Sequence, residues 1–246
     1  MTEVKLQKGE RLDDLQNSFY IIQSPDDFCF GTDAVLLSDF ARIRKGDRVL
    51  DLGCGSGILP ILLAAKTEGS EFIGLEIREK SAALAVRSIA FNHLEDRIRI
   101  VTGDIKNAAE IFGEGSFRAV VSNPPYMRAG HGLAGRDEAK TIARHEVLCT
   151  IDDIAAQSAK LLVSGGRLFL VHRPERLAEI LCTLCAHHLE PKRLRFVHPL
   201  ADREPNLVLI EALKGGRRGM RVEKPLILQD ASGSESEELR QIYGRA

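Results

Sequence analysis

A chain of 246 residues, 44% of them hydrophobic, is long enough for one sizeable core or at most two small domains. Its 34 Lys and Arg nearly balance its 35 Asp and Glu, so contact with nucleic acid must come from a local patch rather than a global field. No apolar run is long enough to cross a bilayer, and residues 1–11 are polar with no signal-peptide core, which points to the cytoplasm and away from a membrane partner.

Residues 19–22 read as a strand, half of a hairpin with the segment before Pro25. Residues 34–41 form an apolar helix, with Thr32 or Asp33 placed to cap it. Strands and helices then alternate. Strands are expected over 48–52, 72–76, 98–101, 117–121 and 167–171, and helices over 58–65, 80–91, 105–112, 147–162 and 175–188. In the helix over 80–91, Ala83, Leu84, Arg87 and Phe91 are spaced for one face; Gly165-Gly166 ends the helix over 147–162, and Pro174 opens the one over 175–188. This alternation implies βαβ units and a mostly parallel sheet. Strands over 193–198 and 207–211, joined by a loop alone, add an antiparallel hairpin at the edge. The result is an α/β, Rossmann-like fold with a seven-stranded sheet. Residues 214–221 form a basic loop, 222–228 a further extended piece and 230–238 a polar turn or linker. The expected organisation is a small N-terminal extension, 1–45, packed on the ligand side of one globular unit, 46–246.

The five cysteines, Cys29, Cys54, Cys149, Cys182 and Cys185, are odd in number and scattered, which suits a reducing compartment. Cys182-x-x-Cys185 lies in an apolar helical pattern with no second pair to complete a zinc site. No metal is expected, and the two thiols are expected to be buried or half-buried.

In an open parallel sheet, ligands bind beyond the carboxyl ends of the strands, near the point where strand order reverses. The strand over 48–52 runs into Asp51-Leu52-Gly53-Cys54-Gly55-Ser56-Gly57, whose glycines permit a tight turn and close backbone approach. The next strand ends in Glu76, placed to accept both hydroxyls of a ribose. The third ends near Gly103-Asp104, where a carboxylate can receive an adenine amino group. The spacing is G-x-G-x-G, and Ile58 fills the third position of a dinucleotide fingerprint. No basic residue stands near for a phosphate. Asp51 instead brings negative charge, which suits a cofactor carrying an amino group and a sulfonium.

Ser122-Asn123-Pro124-Pro125-Tyr126 follows the strand over 117–121. Proline fixes φ, donates no N–H, and pushes the residue before it out of the helical region. Asn123 and Pro124 are therefore held extended. The Asn side chain and a free carbonyl can face one small group together, beside the flat face of Tyr126. Such a turn can hold a planar ring carrying an exocyclic –NH2. His131, His145 and His172 read as loop, helix and strand-end residues without a catalytic role.

D-x-G-x-G-x-G, with Glu76 and Asp104 in order, resembles the class I S-adenosylmethionine-dependent methyltransferases. Asn-Pro-Pro-Tyr after the fourth strand is similar to the turn of those members that modify adenine N6, cytosine N4 or a glutamine amide. Phe30-Gly31-Thr32-Asp33-Ala34-Val35-Leu36-Leu37, the 122–126 turn and the Arg-rich insertion after it resemble, over nearly the whole chain, the bacterial valine-tRNA adenine-N6 methyltransferases. That family modifies the adenine just after the anticodon. The resemblance implies S-adenosyl-L-methionine as cofactor and RNA, tRNA above all, as partner. It implies a cofactor-binding set of Thr32, Asp33, Asp51, Gly53, Gly55, Gly57, Glu76, Ile77, Gly103, Asp104, Ile105 and Asn123, with Thr32 and Asp33 packed over the cofactor. It implies Asn123, Pro124, Pro125 and Tyr126 as the catalytic turn. Bonds from the –NH2 to the Asn123 side-chain oxygen and the Pro124 carbonyl would favour a pyramidal nitrogen aimed at the methyl, and Tyr126 would stack on the ring. A positive sulfonium leaving group removes the need for a general base before attack.

Arg128, Arg136, Lys140 and Arg144 follow the turn, the last three at four-residue spacing on one helix face, where they would hold RNA phosphates. Lys214, Arg217, Arg218 and Arg221 make a second basic cluster, readable equally as solvated surface or RNA contact. A base in an RNA loop is already partly unstacked, so flipping it costs little. Three other enzyme readings share parts of this pattern. A release-factor glutamine methyltransferase uses the same turn but carries a helical N-terminal domain, for which the run before Asp51 is short. An rRNA base-amine methyltransferase shares the chemistry. A DNA adenine methyltransferase would add a target-recognition domain. A non-enzymatic cofactor-binding RNA chaperone would have no need of the 123–126 turn.

Overall fold

The computed structural model describes residues 6–15, 18–25, 31–125 and 149–244. Arg48–Leu52 (β3) and Glu71–Glu76 (β4) are buried at every residue after the first. Strands apolar on both faces are what a parallel sheet covered by helices requires. β3 pairs in parallel with β4 and with Phe117–Ser122 (β6); β4 pairs with Ile98–Thr102 (β5), and β6 with Leu162–His172 (β7). Leu207–Lys214 (β9) runs antiparallel to β7 and to Leu189–His198 (β8). Strand order therefore reverses between β3 and β6, so the carboxyl ends of these two neighbours flank the crevice where such sheets bind ligands.

Side chains alternate across the sheet into two cores. Val49, Phe72, Ala119 and Val121 point to the face covered by Thr32–Phe40 (α1), Ile58–Lys66 (α2) and Glu79–Phe91 (α3). Leu50, Ile73, Leu75 and Val120 point to the other, covered by Ala108–Phe112 (α4), Ile151–Leu161 (α5) and Leu177–Ala186 (α6). An N-terminal hairpin, Arg11–Asp14 (β1) with Tyr20–Gln23 (β2), lies on α3. There the Tyr20 amide donates to Asn92 Oδ1 at 2.8 Å and the Ile22 amide to Ser88 Oγ at 3.0 Å. Among the described residues, no helix is long and apolar enough to cross a membrane.

Several local expectations are corrected. Among the described residues, the central sheet has nine strands rather than seven, because Arg221–Val222 (β10) and Leu226–Ile227 (β11) both pair in parallel with the outer edge of β8. Gly165-Gly166 does not end a helix. The helix stops at Leu161, β7 starts at once, and the glycine pair forms an irregularity inside it where the register against β6 shifts. Gly165 has φ +73°, and a Cβ on Gly166 would lie 2.9 Å from the Val163 carbonyl oxygen, so both positions need glycine. α5 starts at Ile151, behind a Thr150–Asp153 capping box. Neither Thr32 nor Asp33 caps α1; Gly31 is the cap residue, and Asp33 Oδ1 accepts from the Ala34 amide at 2.9 Å. α3 buries Ser81, Ala82, Leu84, Ala85, Ser88 and Ile89, a face rotated from the one expected through Ala83 and Arg87. Cys182 and Cys185 are exposed, because α6 buries only Ile180 and Leu184. Part of the polar 230–238 stretch opens a helix, Glu237–Ile242 (α7), capped by Ser236 and anchored by Leu239 and Ile242 in the α1 core.

Candidate active site

The site is built where four neighbouring strands end. β3 leaves the sheet at Gly53 (φ +81°), passes Gly55 (φ +53°) and enters α2 through Gly57 (φ +87°). A side chain is strained at each of these angles. At Gly57 a Cβ would also lie 3.0 Å from the Ala85 Cβ, whereas at Gly55 it would meet nothing within 4 Å, so the turn closes on α3 and opens outward. Glu76 ends β4 and is buried. Its Oε2 accepts from the Gly55 amide at 2.9 Å and its Oε1 from the Arg78 amide at 2.9 Å. The carboxylate thus locks the glycine turn to the next strand. Ile77 beside it is 37% exposed, an apolar side chain facing water at the mouth of the site. The Gly103 amide donates to the Glu76 carbonyl at 3.0 Å, and Asp104 Oδ1 accepts from the Lys106 amide at 2.9 Å, capping a single turn over Ile105–Asn107. Ile105 reaches back so that its Cδ1 lies 3.6 Å from where a Cβ of Gly53 would be.

Asp51 differs from Glu76. It is 2% exposed, and among the described residues neither carboxylate oxygen has a hydrogen-bond partner. Burial, with the charge of Glu76 added, holds its pKa well above the ordinary carboxylate value. A buried carboxylate without donors is costly unless a cation or donors reach it. The same environment pushes the Cys54 thiol up, first by burial and then through Asp51 and Glu76. This donor set fits S-adenosylmethionine: a buried carboxyl for an ammonium, glycine backbone for close approach, acids at the ends of β4 and β5, and isoleucines beside them.

On the other side of β3, β6 ends at Ser122, whose buried hydroxyl donates to the Leu52 carbonyl at 2.8 Å and ties the two strand ends together. Extending the register Asp51↔Val121 by two residues sets Asn123 level with Gly53. Asn123, Pro124 and Pro125 follow half-buried. Gly53, Glu76, Gly103-Asp104 and the start of the Asn123 turn thus stand in one row across β6–β3–β4–β5. Thr32 and Asp33 open α1, and the Tyr243 hydroxyl lies 3.4 Å from Thr32 Oγ1. Tyr126, Arg128, Arg136, Lys140 and Arg144, with His131 and His145, lie outside the described residues.

Other residues shape the site without having been singled out in the sequence. Gln157 of α5 accepts from the Ala109 amide at 2.9 Å and donates to the Lys106 carbonyl at 2.6 Å, clamping the turn after Asp104; a glutamine in an amphipathic helix carries no signal for this. Gly74 lies inside β4, where a Cβ would stand 2.5 Å from Cys54 Sγ and 2.7 Å from Ile100 Cδ1. A glycine inside an apolar strand is itself a signal of close approach. His172, expected as a plain strand-end residue, is buried at the end of β7, and its Nδ1 accepts from the Arg173 amide at 2.8 Å. Burial and the Arg176 charge depress its pKa to about 4.

Comparison with known proteins gives the lineage. Residues 22–181 match the family model described as "Methyltransferase small domain". The chain is 31% identical over 213 residues to the tRNA1(Val) (adenine(37)-N6)-methyltransferase of Aeromonas salmonicida, covering 86% of this chain and 87% of that one. It is 32% identical over 216 residues to the Serratia proteamaculans enzyme of the same name (86% and 80%) and 31% over 187 residues to that of Porphyromonas gingivalis (74% and 72%). Among solved structures, a "predicted O-methyltransferase" of Agrobacterium tumefaciens superimposes with a TM-score of 0.70 at 26% identity, over 87% of this chain and 97% of that one. The chain belongs to the small-domain methyltransferases and, within them, to the tRNA1(Val) adenine-N6 methyltransferase family.

Proposed function

We propose that this protein transfers the methyl group of S-adenosylmethionine to the exocyclic N6 of an adenine in tRNA, next to the anticodon. The observation that carries the reading is the adjacency of two turns at the β3/β6 reversal: the glycine turn over Asp51, which has no hydrogen-bond partner among the described residues, and the Asn123-Pro124-Pro125 turn. The tRNA1(Val) adenine(37) enzymes to which the chain is related supply the acceptor. In this reading residues 1–45 are an extension on the cofactor side of the unit 46–246, and the compartment is the cytoplasm.

Bound at the glycine turn, the cofactor supplies an electrophilic methyl on a sulfonium. Asp51 pairs with its ammonium, Glu76 accepts from its ribose hydroxyls, Asp104 accepts from its adenine amino group, and Ile77 and Ile105 cover that ring. Gly53, Gly55, Gly57 and Gly103 bring backbone to it without interposed Cβ atoms, and Thr32 and Asp33 close over it. The acceptor nitrogen is conjugated with its own ring and is a poor nucleophile. Asn123 Oδ1 and the Pro124 carbonyl accept its two protons, which favours a pyramidal nitrogen and aims its lone pair. Pro124 and Pro125 hold these acceptors in place because their φ angles cannot relax. Tyr126 stacks on the flipped base, a contact of about 1–3 kcal/mol. Arg128, Arg136, Lys140 and Arg144 hold neighbouring phosphates.

The test is incubation with methyl-labelled cofactor and separate pools of tRNA, rRNA and release factor, followed by nucleoside mapping. Label on tRNA as N6-methyladenosine is expected. Label confined to the release factor would replace the reading with glutamine methylation.

A further inference from the structure

The outer edge of the sheet carries positive charge that methyl transfer does not use. β9 ends at Lys214, and the chain turns through residues 215–220 into β10. The loop is held by its own polar groups. Lys192 Nζ donates to the carbonyls of Arg217 at 2.9 Å and Gly219 at 2.6 Å, and the Gly219 amide donates to Glu190 Oε1 at 3.3 Å. Lys214 Nζ donates to the Leu162 carbonyl at 2.7 Å. Glu223, the acid within this stretch, is engaged by Arg42 and Arg193.

What remains is Arg217, Arg218, Arg221 and Lys224, all exposed. Among the described residues, none of these four side chains meets a carboxylate or makes a hydrogen bond, whereas Arg48, Arg87, Arg167, Arg176, Arg193, Arg195 and Arg240 all pair with acids. Four unneutralised cations on an ordered backbone thus stand within eight residues, in a chain of net charge −1.

The sheet register locates them. Arg221 is level with Arg193, Arg193 with Glu211, Glu211 with Phe169, and Phe169 with Val121, two residues before Asn123. Four strand spacings separate β10 from β6, roughly 19 Å. A flipped base at Asn123 cannot also bring its own phosphate to Arg221. A duplex stem leaving the loop can, since each strand offers a phosphate about every 3 Å of axis.

We infer that this edge is a second tRNA contact, in which Arg217, Arg218, Arg221 and Lys224 hold backbone phosphates of the anticodon stem while the loop base enters the methyl-transfer site. The inference rests on the tRNA reading above. Edge strands are also commonly charged to prevent pairing with other sheets. Glutamate serves that purpose as well as arginine, so charge reversal separates the two roles.

The experiment uses the full chain and the triple variant Arg217→Glu, Arg218→Glu, Arg221→Glu, with equal thermal midpoints and equal cofactor affinity as the check on folding. Affinities are measured across a salt series for unmodified tRNA1(Val), for its anticodon stem-loop, for a single-stranded oligonucleotide of the loop sequence and for anionic phosphatidylglycerol vesicles. The variant is expected to bind tRNA and stem-loop about tenfold more weakly, with a salt slope smaller by about 2–3, and to bind the loop oligonucleotide as the parent does. Unchanged stem-loop affinity overturns the inference. So does an equal loss on the loop oligonucleotide, or a loss confined to anionic phosphatidylglycerol vesicles, which Met220 and Val222 beside the arginines would suit. Should the parent protein itself transfer no methyl to tRNA, the functional reading fails; a parent that methylates and a variant that binds stem-loop equally well sinks this inference alone.

Discussion

The carboxyl edge of the sheet has two halves built on different principles. On the β3–β4–β5 side, backbone groups and one clamped acid set the shape: three glycines at positive φ, Glu76 fixed by two amides, and Gln157 bracing the turn after Asp104. On the β6–β7 side, covalent restraint and burial set it: two consecutive prolines, the Ser122 hydroxyl on the Leu52 carbonyl, and an uncharged buried His172. The first half is complete except for one buried carboxyl, Asp51, which has no hydrogen-bond partner among the described residues, so a ligand that brings positive charge completes it. The Asn123-Pro124-Pro125 turn carries no charge and offers acceptors, so its ligand has to bring neutral donors. Two kinds of demand, met side by side at a strand reversal, describe a cationic cofactor next to a planar amine.

The sharpest way to break this division is Asn123→Ala. Removing an acceptor aimed at a group that changes in the transition state is expected to lower kcat by about 10²–10³. The cofactor dissociation constant, read by calorimetry, is expected to stay within about threefold, because the glycine turn, Asp51, Glu76 and Asp104 carry most of the cofactor's contacts. A collapse of cofactor affinity in parallel with kcat would merge the two halves into one structural unit. Asp51→Asn tests the division from the other side. Losing a charge-assisted contact of about 1.5–3 kcal/mol should weaken cofactor binding about 10–100-fold, with much of kcat recovered at saturation. Because burial raises the Asp51 pKa, the cofactor-free protein takes up a proton there on folding. Its stability therefore falls as pH rises from the ordinary carboxylate range through the raised value. Urea unfolding without cofactor should show Asp51→Asn gaining on the parent as pH rises, and saturating cofactor should shrink that gain.

The row Gly53, Glu76, Gly103-Asp104, Asn123 was legible because strand alternation puts the last residues of successive parallel strands on one edge. Neither the glycines nor the acids depend on distant contacts for their meaning. What misled were signals with two physical uses. Gly165-Gly166 reads as a helix stop, yet the helix already ends at Leu161, and the pair serves a register shift inside β7. Asp33 is a good capping residue in isolation, but its carboxylate accepts from its neighbour's amide while Gly31 takes the cap position. Residues 230–238 are polar enough to read as linker, whereas their capping Ser236 starts a helix whose Leu239 and Ile242 are buried by α1, a partner two hundred residues away in sequence. Cys182 and Cys185 sit in an apolar pattern, yet α6 lies on the sheet by a narrow stripe and leaves them in water. Long-range packing decided these cases, and no local pattern encodes it.

The last effect expected is on stability alone, and it sits at the β7 end beside the acceptor turn. His172 accepts the Arg173 amide at Nδ1, so its proton is on Nε2 and the ring is neutral. Its folded pKa of about 4 is below the ordinary 6.5 because burial and the Arg176 charge disfavour the cation. The sign follows: the stability this residue contributes is fully present above the ordinary value and is lost as pH falls from there through the folded value, on the order of 3 kcal/mol in all. His172→Asn keeps an acceptor for the Arg173 amide and removes the titration. The difference in unfolding free energy between parent and variant should therefore shrink as pH falls through that window, while cofactor affinity at neutral pH stays the same in both. A difference independent of pH would mean that the imidazole titrates in the folded protein as it does in the unfolded chain, and that the acceptor half is less dry than the buried β7 end implies.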